Sequence, residues 1–203
     1  WNVKRITPAA FLPADLSREV HTSLLWWFEG VTSYYDDLAL VRTGLIPPQS
    51  YLELLGRTAT RVFRGAGRRR QSIAESSFDA WTRFYKQDEN APNAIVSYYA
   101  KGALVALALD LTLRRDSGGD LSLDEVMRTL WQRHGAPEIG ITQADFEATV
   151  GELAGRDMTP FFDHAVRGTE DLPLTELLAT VGVSLERRPA TSENDRGGTP
   201  PKE

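Results

Sequence analysis

The segment 97–115 most constrains what this chain can fold into. Leu104, Val105, Leu107, Leu109 and Leu111 cover most of a helical circumference, so a helix here has no face left for water and must be enclosed by other helices. Gly102, Ala103, Ala106 and Ala108 on the same segment allow neighbours to approach closely. The rest of the sequence supplies those neighbours. Apolar residues recur at helical spacing over about 24–42, with Thr43-Gly44 and Pro47-Pro48 as stop signals, and again over about 49–63. Shorter helices are predicted near 78–84, 160–166 and 174–180. Two more follow Ser122-x-x-Glu125, a capping box opening 123–134, and Thr142-x-x-Asp145, a second box opening 146–154. The stretch 1–15 reads as extended or looping chain, 86–92 as a loop, and 183–186 as a terminal strand. The expectation is a mainly α chain, one domain over 1–188, followed by a disordered linker over 189–203, whose composition offers almost no apolar side chain to bury.

Composition removes several functions. With no cysteine, any metal must be held by His, Asp or Glu. A net charge of -5 and a pI near 5.3 argue against nucleic-acid partners, and Arg68-Arg69-Arg70 reads as a solvated loop. The longest apolar runs, 103–109 and 24–28, are far short of the roughly 20 residues of a membrane span. No localisation signal is legible, and the compartment stays open. The chain starts at Trp1 rather than Met and is expected to be a piece of a longer protein.

One residue sits awkwardly in this pattern. Glu29 follows Leu24-Leu25-Trp26-Trp27-Phe28, and an unpaired buried carboxylate costs several kcal/mol or gives up its charge. Its surroundings suit a zinc ligand donated from a helix separate from a His-Glu-x-x-His pair; a helix N-terminal carboxylate is the alternative. Gly30 would let another backbone, or a substrate, come close. Ser33 and Asp36 fall four and seven residues beyond Glu29, roughly on one helical face, where Asp36 could orient a zinc-bound His or lie on a solvated turn with Asp37. Gly30 and Tyr34 are placed at the substrate cleft, although Tyr34 and Tyr35 also fit core or rim positions.

A second constellation is "SYYAKG", 97–102, at the start of the apolar helix. A tyrosine hydroxyl beside a metal can donate to the oxyanion formed in peptide hydrolysis. Tyr98 and Tyr99 are adjacent and cannot both point that way; the alternative is an aromatic pair packing the helix start. His21, His134 and His164 are scattered and form no ligand pair.

Taken together, "WNVKRITPAAFLPADL", "LLWWFEGVTSYYDDLALVRTGLI", "SYYAKGALVALALDL" and "VRGTEDLPL" resemble the glycyl aminopeptidase family of zinc metallopeptidases. The resemblance runs from Trp1 to about Arg188. It implies the helical C-terminal subdomain of a thermolysin-like (gluzincin) metallopeptidase, starting just after the His-Glu-x-x-His helix, with a linker towards a PDZ domain at its end. It further implies that Glu29 in "FEG" is the third zinc ligand and that Tyr99 in "YAKG", with Tyr98 as the fallback, stabilises the oxyanion. On this basis the longer protein is expected to use Zn2+ to remove N-terminal Gly or Ala from peptides. The piece alone lacks two ligands and the general base, and is expected to be inactive, to bind no zinc tightly and to self-associate through the face left by the missing remainder of the peptidase domain. The rival expectation is a helical interaction module with an aromatic groove around Trp26, Trp27, Tyr34 and Tyr98.

Overall fold

A computed structural model describes residues 2–192 and 194–198. Its helices are α1 (Thr32–Arg42), α2 (Pro48–Arg64), α3 (Ile73–Phe78), α4 (Ala91–Ala94), α5 (Ala100–Asp116), α6 (Leu123–Leu130), α7 (Gln143–Ala154), α8 (Thr159–Phe162) and α9 (Leu174–Ala179). The mainly α architecture expected from the sequence is what forms.

α5 is the axis of the molecule. It is buried almost continuously from Ala100 to Leu113, enclosed by α1, α2, α6, α9 and the turn Trp26–Val31. Burial of its leucines and valines is the main driving force for assembling the other helices around it, at about 25 cal/mol for each Å² of apolar surface removed from water. Trp26 and Trp27 fill the core beside Phe146, with ring centroids 5.7 and 4.0 Å away, and Phe162 completes the aromatic cluster.

The central helix carries one carboxylate into this core. Asp110 is only 4% exposed and accepts from the Tyr34 hydroxyl at 2.8 Å, the Leu123 amide at 2.7 Å and Arg114 Nε at 3.0 Å. These bonds tie α1 and the start of α6 to α5, and they supply the partners a buried charge requires.

Both predicted capping boxes form, at Ser122–Glu125 and at Thr142–Asp145, and a third, Ser72–Glu75, opens α3. The sequence predicts a short helix over 78–84. There α3 has already ended, and Ala80–Phe84 is a π-turn. Three other helix ends or starts are wound the same way: Trp26–Val31, Trp131–Gly135 and Asp163–Arg167.

Three expectations need correction. The 183–186 stretch makes no β-ladder; the β-pairing among the described residues consists of isolated bridges, Asn2 with Ile6 and Pro8 with Ile141. The chain there lies along α2 instead, where the Arg187 guanidinium sits 4.3 Å from the Phe63 ring centroid. Second, Arg68 is not in a solvated loop: it is 9% exposed, its Nε donates to Asp171 at 2.7 Å, and Arg69 reaches the same carboxylate at 3.1 Å. Third, Trp26, Trp27, Tyr34 and Tyr98 are all buried, so they form no binding groove. The described part of 189–203 is organised by Asp195, which accepts from Arg188, Thr191 and Gly197, while Gly197 rests against Thr60 of α2. Residues 193 and 199–203 of that predicted linker lie outside the described residues. Among the described residues no helix is long and apolar enough to cross a membrane.

Candidate functional site

Two glycines build the site. A Cβ on Gly30 would sit 2.6 Å from Gly102 Cα and 3.0 Å from the Tyr98 carbonyl oxygen; one on Gly102 would sit 2.8 Å from the Trp26 carbonyl oxygen. Only hydrogens fit between the two backbones, so Trp26–Val31 and the N-terminus of α5 cross in direct contact. Gly30 therefore receives another backbone and is buried; it does not line a cleft.

That crossing fixes what stands beside it. Glu29 precedes Gly30, and Tyr99 lies three residues before Gly102, so the two side chains emerge next to each other from the two elements. The extra residue per turn of the π-winding at Trp26–Val31 sets the direction of Glu29, and such windings recur at functional sites.

Glu29 is half-buried. Its carboxyl is held above its ordinary value, first by loss of hydration, against which a hydrogen bond from Tyr99 acts, and with Asp36 adding repulsion. Among the described residues it has no ion-pair partner. Tyr99 is half-buried too, and its phenol is pushed up to about 12 by burial first, with the Glu29 charge acting in the same direction. Tyr98, in contrast, is 1% exposed and stacks on Tyr99 with ring centroids 4.6 Å apart. The two tyrosines are thus distinguished: Tyr99 stands with Glu29, while Tyr98 supports it from the core.

Ser33, Asp36 and Asp37 border a recess of about 250 Å³ together with Tyr51 and Tyr99. Asp36 is exposed and lies within electrostatic reach of Glu29, as the helical spacing predicts. Burial, followed by the Asp36 charge, also holds the Asp37 carboxyl above its ordinary value. Tyr34 also borders this recess, with its hydroxyl committed to Asp110 at 2.8 Å.

Sequence reasoning missed Phe84 and Tyr85, which stand at the end of the predicted 78–84 helix and just before the 86–92 loop. Phe84 packs on Tyr98 at 4.7 Å and on Tyr99 at 5.9 Å, and the Tyr85 hydroxyl reaches both tyrosine hydroxyls. The available signal was the aromatic pair itself, followed by the turn into 86–92.

Among the described residues no group of three or more His, Asp or Glu side chains could hold a metal ion. Two of the histidines are engaged elsewhere: His21 Nδ1 lies 2.8 Å from the Phe78 carbonyl oxygen, and His164 is beside Glu170. Glu29, half-desolvated and without a cation, fits as one ligand of a shared site.

Fold and site define a class first: a helical module that brings one carboxylate and one phenol together where two helical backbones touch. The chain belongs to the M61 glycyl aminopeptidase family, whose model matches residues 1–105, just over half of it. It is also similar to a crystal structure described as an aminopeptidase N family protein from Idiomarina loihiensis, with 47% identity, a TM-score of 0.95 and 98% of this chain covered. This chain spans only 34% of that one. No curated protein matches it.

Proposed function

We propose that this chain forms one wall of the active-site cleft of a zinc-dependent aminopeptidase that removes N-terminal glycine or alanine from peptides. The observation that carries this reading is the Gly30–Gly102 crossing, which sets Glu29 beside Tyr99. The family assignment and the length of the Idiomarina loihiensis neighbour support a longer protein; in it a His-Glu-x-x-His helix outside this chain would supply two more ligands and a general base.

Glu29 would hold the zinc ion as the third protein ligand. Bound there, zinc supplies Lewis acidity towards the peptide carbonyl and its attacking water. Tyr99 contributes a donor: its single proton, given to the Glu29 carboxylate in the chain alone, would turn to the carbonyl oxygen once zinc engages Glu29 and that oxygen gains charge, an interaction worth roughly 3 to 4 kcal/mol in comparable sites. Asp36, one helical face along from Glu29, would accept from the far nitrogen of a ligating histidine and fix its ring. Tyr98 and Phe84 keep the Tyr99 ring from turning.

The test is hydrolysis of glycyl and alanyl anilides by the full-length protein. The expected result is zinc-dependent cleavage, abolished by Glu29→Gln and absent from the 203-residue chain alone. Undiminished cleavage by Glu29→Gln would refute the assignment.

A further inference from the structure

The hydroxyl of Tyr85 lies 3.2 Å from that of Tyr98 and 3.4 Å from that of Tyr99. Tyr85 ends the π-turn Ala80–Phe84, its amide donating to the Ala80 carbonyl at 3.0 Å, and this turn is attached to the preceding chain by Trp81 Nε1 donating to the Val20 carbonyl at 3.1 Å. The ring of Tyr85 is 62% exposed, so packing alone gives little reason for an aromatic residue here. The ring meets Phe84 edge-on, with centroids 5.5 Å apart, and the hydroxyl is the part that reaches Tyr98 and Tyr99.

A phenol has one proton to donate and lone pairs with which to accept. Where Tyr99 directs its proton at a substrate oxygen, its contact with Tyr85 can only be one in which Tyr85 donates. With the Tyr85 proton committed to Tyr99, the contact with Tyr98 is one in which Tyr98 donates. With the Tyr99 proton given to substrate, the bonds run from Tyr98 to Tyr85 to Tyr99, and each donor polarises the next.

We propose that Tyr85 is a positioning residue for Tyr99: its hydroxyl donates to the Tyr99 oxygen, so that the single Tyr99 proton is aimed away from the aromatic cluster and into the cleft. This rests on the reading of Tyr99 as the donor to the substrate carbonyl. Tyr85 touches no reacting atom itself, and its effect is exerted wholly through Tyr99.

The test uses the full-length, zinc-loaded enzyme. Tyr85→Phe keeps the exposed ring and removes only the hydroxyl. It is expected to lower kcat about tenfold, the rate equivalent of one lost hydrogen bond, with KM within about twofold of wild type. In a Tyr99→Phe background the same substitution is expected to cost nothing further, because the residue it acts through is gone. A readout independent of turnover is the ¹⁹F resonance of 3-fluorotyrosine placed at position 99, expected to shift and broaden in Tyr85→Phe as the hydroxyl loses its fixed partner. A kcat unchanged by Tyr85→Phe, a loss that multiplies in full on Tyr99→Phe, or an unmoved ¹⁹F signal would each overturn the proposal. Full activity of Tyr99→Phe alone would instead overturn the reading on which it rests.

Discussion

Replacing Gly30 by alanine tests whether the backbone crossing holds this fold together. The added Cβ would lie 2.6 Å from Gly102 Cα and 2.7 Å from its carbonyl carbon, about 1 Å inside the ordinary carbon–carbon separation. Both atoms are backbone, so no side chain can swing away and one element must move. Overpacking of this kind costs about 1–3 kcal/mol, and contact with rigid backbone puts the cost near the upper end. Alanine's better helix propensity returns about 1 kcal/mol, leaving a net loss of about 2 kcal/mol. For a chain of this size that lowers Tm by about 4–8 °C, read by circular dichroism on the 203-residue chain. Gly56→Ala is the control: its Cβ would meet Gly198 at an ordinary 3.5 Å, so only the propensity gain applies and Tm should hold or rise. If Gly30→Ala were as stable as wild type, the two backbones would not be in contact, and the placement of Glu29 beside Tyr99 would lose its cause.

Three further outcomes follow from the same structure. Asp110→Ala leaves the Tyr34 hydroxyl, the Leu123 amide and Arg114 without their acceptor, and should destabilise by about 2–4 kcal/mol in urea unfolding. Glu29→Gln should stabilise the isolated chain near pH 7: the folded-state carboxyl is held above its ordinary 4.5, so its contribution is fully present below that value and is lost as pH rises through the raised one. The advantage of the variant should therefore vanish in acid, and a gain that persists below about pH 4 would contradict the assignment to this carboxyl. Finally, Leu16, Phe78 and Trp81 remain exposed, so the isolated chain should self-associate in sedimentation velocity, and Phe78→Ser with Trp81→Ser should weaken the association; a monomer at high concentration would count against it.

Much of the fold was legible because α5 is apolar all round, and such a helix can only be central. The capping boxes at Ser122 and Thr142 were equally plain, and Ser72-x-x-Glu75 carried the same signature within a stretch that otherwise reads as polar. The π-windings were not legible, since one extra residue per turn leaves little trace in a pattern read at 3.6. Asp110 was hidden inside an apolar run, where its partners come from residues 34, 114 and 123. Glu29 stood out as a charge among aromatics, but its pairing with Tyr99 depends on the register between two distant glycines. The resemblance supplied that pairing; spacing could not. The preference for Tyr99 over Tyr98 gains its physical reason from the core, which buries one and leaves the other beside Glu29.

The most direct test is the zinc content of two variants of the full-length protein, measured by metal analysis after dialysis against a weak chelator. On the proposed roles, Glu29→Gln should lose bound zinc, because it removes a ligand. Tyr99→Phe should retain wild-type stoichiometry while losing about a hundredfold or more in kcat, because it removes only a donor to the substrate. Stoichiometric zinc in Glu29→Gln, or zinc lost from Tyr99→Phe, would contradict the division of roles between these two residues.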